Sequence, residues 1–300
     1  MLKLGGEQSL METGVAYGIR QLTLALFTTL APAGSICIIL LLIYGLFFIK
    51  DTVTKKHLHH FLIVPLAFCL IGLIASTNHL GKPSNALYVL MGVGRSPLSN
   101  EVLASAVFVG MTWIYWLAGF SKKIEIKHLR IALPFVIVAG LAQIWFTSFA
   151  YNINTISTWS LIYTQVNQIL SALIGGSVLF IFTLAFAKIG QNRNVTLTFI
   201  TITCASTAIL FVSELLQNAA FSTLTSTTTS LTEVFPQYML FIATSTLLLL
   251  IACVLLFIFK RKDLLTYRRY TLIVLVITFL GIFIARFSFY CTYLNVGLVV

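Results

Sequence analysis

The sequence predicts an all-α polytopic membrane protein, a bundle of eight transmembrane helices, on the evidence of its composition, its apolar stretches and its charge distribution. Of its 300 residues, 59% are hydrophobic and only 9% are charged, and the mean hydropathy is +0.99. A soluble domain of this composition would expose too much apolar surface, so the bilayer is its natural solvent. We expect residues 1–300 to form a single integral membrane domain, with a polar N-terminal tail over residues 1–20.

Eight apolar stretches are long enough to cross the hydrocarbon core, which requires about 20 helical residues. They cover residues 21–49, 59–78, 100–120, 129–150, 166–188, 195–218, 236–259 and 271–291. We find no internal repeat between them, so the inverted-repeat signature of many secondary transporters is absent from the sequence.

Lysine and arginine are distributed unevenly between the two sides of these spans. Of the 19 residues of these two types, 14 lie in the first, third, fifth and seventh connections, whereas four lie in the N-terminal tail and the second connection. The positive-inside rule therefore predicts that both termini are extracytoplasmic. Because topology explains the net charge of +11, we expect the lipid bilayer and no nucleic acid as a partner.

Four ionisable residues fall inside or at the edge of predicted spans, where such groups are costly and often functional. His79 follows span two, Glu101 opens span three, Glu214 lies near the end of span six, and Arg286 lies in span eight. The predicted topology places all four at a similar depth on the outer side. Each also has a structural alternative: an interfacial histidine, a carboxylate at a helix N-terminus, and a Glu214–Arg286 ion pair.

This set of side chains suits the oxidation of a quinol, which must lose two electrons and two protons. A neutral histidine such as His79 can accept a hydrogen bond from a quinol hydroxyl, and a carboxylate such as Glu101 can take the proton onward. Phe289, Tyr290 and Tyr88 could pack against the quinol ring, and the apolar bundle supplies a groove for its tail.

Haem and iron–sulfur clusters are not expected in this protein. A membrane haem usually needs two histidines at matching depth on facing helices, and only His79 of the five histidines lies on the outer side. Clusters need several neighbouring thiolates, whereas the cysteines occur singly in apolar segments: Cys37, Cys69, Cys204, Cys253 and Cys291.

The run ASTNHLGKPSNALYVLMGVGRSPLSNE, residues 75–101, resembles the most distinctive segment of the membrane-anchor (C) subunits of anaerobic dimethyl sulfoxide reductases. Weaker similarities are LFTTLAPAGS in span one, YNINTISTW at 151–159, SELLQ around Glu214, and Arg286 followed by Phe289 and Tyr290. The polar N-terminal tail and the run FIARFSFYCTYLN depart from the family pattern.

The resemblance implies an anchor that binds and oxidises menaquinol in the cytoplasmic membrane of a prokaryote and carries no haem. Electrons would pass to an iron–sulfur subunit and then to a molybdopterin catalytic subunit, so the anchor alone would not turn over a sulfoxide. The family's quinol-site histidine and glutamate match His79 and Glu101. Arg95, Glu214, Arg286 and Tyr290 are carried over on a looser similarity.

Two alternatives stay open at this stage. One is the anchor of a polysulfide or tetrathionate reductase, which shares the same chemistry. The other, from a different class, is a secondary transporter that uses Glu214 and Arg286 as a relay. If the protein is an anchor, electron transfer requires a short distance between the quinol and the partner's first cluster. We therefore expect the partner to cover connections two, four and six.

Overall fold

The computed structural model describes residues 14–78, 83–121, 126–189, 193–222, 224, 231–259 and 264–294. One 3-10 helix, Pro83–Gly92, lies between the fourth and fifth of its α-helices. The α-helices in the described residues are α1 Gly14–Arg20, α2 Leu22–Phe47, α3 Thr52–Phe61, α4 Ile63–Asn78, α5 Pro97–Ala118, α6 Ile126–Phe149, α7 Ile162–Phe186, α8 Arg193–Phe221, α9 Leu231–Val234, α10 Tyr238–Phe259 and α11 Leu264–Cys291.

Within the described residues, eight helical segments are long and apolar enough to cross a membrane, which confirms the predicted all-helical architecture with eight spans. They comprise α2, α3 together with α4, and α5, α6, α7, α8, α10 and α11. The second segment begins at Thr52 rather than at residue 59, because Asp51 caps α3. Its carboxylate accepts hydrogen bonds from the backbone N–H and the hydroxyl of Thr54, both at 2.7 Å, and these bonds lower the pKa of Asp51.

Helices α2 and α7 form the centre of the bundle, and they are the most buried of the eight spans. Helix α2 packs against α4, α6, α7 and α11. Small residues allow this close approach, as is usual between membrane helices. A Cβ atom on Gly34 of α2 would lie 2.8 Å from the carbonyl oxygen of Pro65, and one on Gly72 of α4 would lie 3.1 Å from the Cβ atom of Ala31.

The peripheral helices expose large apolar side chains around the bundle. Ile114 of α5, Ile131 and Val138 of α6, and Leu240 of α10 are each more than 60% exposed. On a soluble protein such a surface would drive association, whereas in a bilayer it faces lipid chains.

Short connections make consecutive spans antiparallel, so the bundle has two distinct ends. We call the end where α2 begins and α11 finishes the terminal end, and the opposite end, which holds most of the lysine and arginine residues, the basic end. At the terminal end, α1 packs against α11. Tyr17 of α1 stacks on Tyr293 with 4.2 Å between ring centroids, and burial, followed by the neighbouring Tyr293, raises the pKa of Tyr17 to about 12.

The segment from residue 150 to residue 161 also closes the terminal end. Tyr151, Ile156 and Trp159 are buried and pack with Phe289 and Tyr290 of α11. The hydroxyl of Thr158 donates a 2.6 Å hydrogen bond to the carbonyl oxygen of Thr292. This segment is therefore a packed cover over the helix ends.

Candidate functional site

Three of the predicted site residues lie at the terminal end on three different helices. Glu101 is four residues from the start of α5, Glu214 is seven residues from the end of α8, and Arg286 is five residues from the end of α11. At 1.5 Å per residue they lie roughly 6, 11 and 8 Å inside their helix ends. Their side chains are only 1–3% exposed, so they form a buried charged cluster at one depth.

Arg286 is held by a hydroxyl and an aromatic ring. Its Nε atom donates to the Oγ1 atom of Thr28 at 3.3 Å. Its guanidinium carbon lies 4.5 Å from the ring centroid of Phe289 and 5.9 Å from that of Tyr290, distances at which a cation is attracted to the ring face. Helices α2 and α11 together therefore fix the position of the cation.

Two buried carboxyl groups lie close enough to this cation to interact with its charge. Glu101 and Glu214 both interact electrostatically with Arg286. A buried charge needs a compensating partner, and one guanidinium neutralises only one carboxylate. The cluster is therefore suited to holding one proton and releasing it.

A series of polar side chains continues from Glu101 toward the middle of α2. The hydroxyl of Thr147 lies beside the Glu101 carboxyl group and accepts a 3.1 Å hydrogen bond from Nε2 of Gln143. The Oε1 atom of Gln143 in turn accepts from the hydroxyl of Ser35 at 2.8 Å. Helices α2, α5 and α6 are thus joined by polar contacts at this depth.

Several polar atoms of the cluster have hydrogen-bonding capacity that no described residue satisfies. They include Oε1 of Glu101, Oε2 of Glu214 and Nη2 of Arg286. A cavity of about 10 Å³ lies between Glu214, Arg286, Asn167 and neighbouring side chains. This volume matches about one water molecule, so it is too small for a quinol ring.

Aromatic residues of the 150–161 segment cover the cluster. The Trp159 ring lies over that of Phe289 with 5.0 Å between centroids, and Tyr151 meets Tyr290 edge-on at 5.5 Å. Burial, and after it the charge of Glu101, raises the pKa of Tyr151 well above its ordinary value. The Tyr151 phenol therefore stays protonated and can donate a hydrogen bond beside Glu101.

The remaining predicted residues have different positions. His79 lies outside the described residues, directly after the end of α4 at Asn78. The side chain of Arg95 is exposed, and Tyr88 is 65% exposed, so neither belongs to the buried cluster. Phe289 and Tyr290 are buried and pack against Arg286 and the cover.

The interpretation of Glu101 as a carboxylate in the first turn of a helix is wrong. Helix α5 begins at Pro97 with Ser96 as its N-cap, and its first turn contains no acidic residue. Asn100 instead accepts a 2.7 Å hydrogen bond from the N–H of Gly94, which has φ +82°. This turn starts the helix three residues earlier than predicted and places Glu101 in its second turn.

Sequence reasoning missed the uncharged polar residues around the cluster. The Nε2 atom of Gln168 donates to the carbonyl oxygen of Thr28 at 2.9 Å, and Nδ2 of Asn167 donates to Oε1 of Gln217 at 2.8 Å. The signal was available, because amide side chains within apolar spans need internal partners. They mark the same depth as the charged residues.

Within the described parts of the protein, no group of three or more histidine, cysteine, aspartate or glutamate residues could hold a metal ion. The predictions that the protein holds neither haem nor an iron–sulfur cluster stay predictions.

Comparison with known families supplies the identity of this bundle. A family model described as the DMSO reductase anchor subunit matches residues 15–292, nearly the whole sequence. The chain belongs to the DMSO reductase anchor subunit family. This assignment confirms the resemblance seen in residues 75–101 and makes the protein a multi-pass membrane anchor subunit.

Three curated relatives of this anchor family are similar to parts of the sequence. The C subunit of the anaerobic dimethyl sulfoxide reductase of Haemophilus influenzae is 30% identical over 176 residues, which cover 59% of this protein and 61% of the relative. In Escherichia coli, the anaerobic dimethyl sulfoxide reductase subunit YnfH is 32% identical over 41% of this protein and 43% of its own length. The C subunit of the anaerobic dimethyl sulfoxide reductase of the same organism is 35% identical over 40% of this protein and 42% of its own length.

Proposed function

We propose that this anchor subunit binds menaquinol at the terminal end of its bundle, takes up the protons released on oxidation, and passes the electrons to an iron–sulfur subunit. The observation that carries the proposal is the buried Arg286 together with two buried carboxyl groups that interact with it electrostatically, each having an oxygen without a hydrogen-bond partner among the described residues. In an apolar bundle such a cluster is costly and marks a functional site.

In this proposal Glu101 accepts a proton from a quinol hydroxyl. Oxidation of the quinol to the quinone releases two protons and two electrons, so the site needs a proton acceptor within reach of the hydroxyl. The unpaired Oε1 of Glu101 can act as that acceptor. Arg286 stabilises the negative charge that Glu101 carries before proton transfer and after the proton leaves.

In this proposal the quinol ring lies on the α4–α5 side of Glu101 rather than beside Glu214. The cavity next to Glu214 holds only about 10 Å³, whereas small-molecule pockets usually measure roughly 300–1,000 Å³. On the other side, Glu101 follows the 3-10 helix and the connection that contains His79. In this arrangement His79 accepts the hydrogen bond of the second quinol hydroxyl and takes up the second proton, and Glu214 and Tyr290 help Thr28 and Phe289 to hold Arg286.

The proposed partners are an iron–sulfur electron-transfer subunit and, beyond it, a molybdopterin catalytic subunit. Electron transfer requires a short distance between the quinol and the first cluster, so the partner would dock at the terminal end over connections two, four and six. By the charge count this end is extracytoplasmic, in the cytoplasmic membrane of a prokaryote. Membership of the anchor family favours this hypothesis over the transporter alternative.

The test is quinol oxidation by the complete complex purified with its partner subunits. Glu101→Gln keeps the size of the side chain but removes the proton acceptor, so the rate should fall by roughly 10²-fold or more. Glu233→Gln, which alters an exposed carboxylate at the same end, is the matched control and should keep the parental rate.

An unchanged rate in a fully assembled Glu101→Gln complex would overturn the role of this residue. Partner subunits that protect lysines of the basic end from chemical labelling, instead of the terminal end, would overturn the proposed docking face. The subunit stoichiometry of each purified complex is measured together with its rate. It shows whether a lower rate comes from lost assembly or from lost quinol oxidation.

A further inference from the structure

A large groove lies at the basic end of the bundle, far from the Arg286 cluster. It has a volume of about 550 Å³, within the range of roughly 300–1,000 Å³ typical of small-molecule sites. The ends of α2, α5 and α6 form its walls together with α3. Neither the proposed quinol chemistry nor the charged cluster uses this groove.

The inner part of the groove is apolar. Leu41 and Leu42 of α2, Leu62 beside α3, and Leu133 of α6 line it, and all four are less than 10% exposed to solvent. Gly45 and Gly119 also line the groove, and their lack of side chains keeps it wide. Such an apolar lining favours the binding of a hydrocarbon chain.

The mouth of the groove is cationic. Lys55 and Lys56 of α3 and Arg130 of α6 line it, and the described lining residues include no carboxylate. Helical spacing explains the placement, because Thr52, Lys55, Lys56 and His59 recur at intervals of three or four residues and share one face of α3. Lys55 is half-buried, whereas Lys56 and Arg130 are exposed.

His59 joins α3, which forms one wall of the groove, to α5. Its Nε2 atom donates a 2.9 Å hydrogen bond to the carbonyl oxygen of Trp116 on α5, and the indole N–H of Trp116 donates to the carbonyl oxygen of His60 at 3.2 Å. A Cβ atom on Gly119 would overlap the His59 ring. Helix α3 is thus anchored to α5, with Lys55 and Lys56 lining the groove.

We propose that this groove binds one phospholipid with an anionic headgroup, the phosphate lying between Lys55, Lys56 and Arg130 and an acyl tail on the leucines. The charge complementarity selects an anionic headgroup over a zwitterionic one. Lysine and arginine near a membrane surface each attract anionic lipid. The distribution of lysine and arginine over the loops predicts that this end lies in the cytoplasmic leaflet, where anionic headgroups attract such basic segments. The proposal does not depend on quinol oxidation.

The test uses the full-length protein in nanodiscs of phosphatidylglycerol or of phosphatidylcholine with the same acyl tails. Lipid retained after detergent exchange is counted by native mass spectrometry. The parental protein should retain one phosphatidylglycerol and lose phosphatidylcholine. The variant Lys55→Gln/Lys56→Gln/Arg130→Gln should lose retention by about fivefold for each cation removed.

The matched control is Lys50→Gln/Lys188→Gln/Arg269→Gln, which removes three exposed cations near the same end but outside the groove. It should retain phosphatidylglycerol like the parental protein.

Equal retention of both lipids by the parental protein would overturn the proposal, as would displacement of phosphatidylglycerol by a menaquinone analogue. An equal loss in both triple variants would show only general surface attraction and would also overturn it. The comparison of the two lipids on the parental protein needs no variant, so it tests the proposal even if a variant misfolds.

Discussion

At the residue scale, Arg286 is the side chain on which the terminal end depends. It interacts electrostatically with buried carboxyl groups from two other helices, bonds to Thr28 of α2 and packs on Phe289. Removing one partner of a buried ion pair leaves an uncompensated charge, whereas removing both can be nearly neutral.

Arg286→Gln should therefore lower the free energy of unfolding by roughly 3–5 kcal/mol. The double variant Glu214→Gln/Arg286→Gln should regain part of that loss, because the Glu214 carboxyl group that lost its compensating cation is then replaced by an uncharged amide. Thermal unfolding of the full-length protein in nanodiscs measures both, and Arg95→Gln, which alters an exposed arginine of the same end, is the control.

If the double variant were as unstable as the sum of the two single variants, Glu214 and Arg286 would not be coupled. The loss in Arg286→Gln would then come from its interactions with Glu101, Thr28 and Phe289.

At the scale of elements, close packing of α2 against α4 depends on small residues that face each other. Gly34 of α2 lies against Cys69 and Pro65 of α4, and Gly72 of α4 lies against Ala31 of α2. Close contact of this kind replaces the hydrophobic driving force that water would supply between helices.

Gly34→Ala should destabilise the bundle by about 1–3 kcal/mol, since its Cβ atom would lie 2.5 Å from the Cys69 sulfur and 2.8 Å from the carbonyl oxygen of Pro65. Gly110→Ala is the matched control, because a Cβ atom there meets nothing within 4 Å. The control should be neutral or more stable by roughly 0.5–1 kcal/mol through helix propensity. Denaturant unfolding in detergent compares the two, and similar midpoints would contradict close packing at Gly34.

At the scale of the whole molecule, the uneven lysine and arginine distribution predicts that the terminal end is extracytoplasmic. A single cysteine introduced at Asn152, in the 150–161 segment, should react with an impermeant maleimide in intact cells. One introduced at Lys188, at the basic end, should react only after permeabilisation. The five native cysteines are replaced by alanine or serine beforehand. The reverse pattern of labelling would contradict the predicted orientation.

The lengths of the apolar stretches and the positions of lysine and arginine in the sequence were enough to predict the helical architecture and its eight spans. These signals are local, because every backbone polar group in a bilayer core must be satisfied within its own helix. The helix starts at Thr52 and Pro97 were misplaced, because caps at Asp51 and Ser96 decide them and hydropathy does not register caps.

By itself the sequence determined the class of protein, its family resemblance and the common depth of Glu101, Glu214 and Arg286. Only the tertiary structure decided that Arg286 interacts electrostatically with both carboxyl groups, that Thr28 and Phe289 hold it, and that Tyr151 and Trp159 cover it. It also decided that the side chains of Arg95 and Tyr88 are exposed and that a cationic groove opens at the opposite end. The physical reason is that helical periodicity fixes the depth of a side chain along its own axis, whereas the direction it faces depends on how neighbouring helices pack.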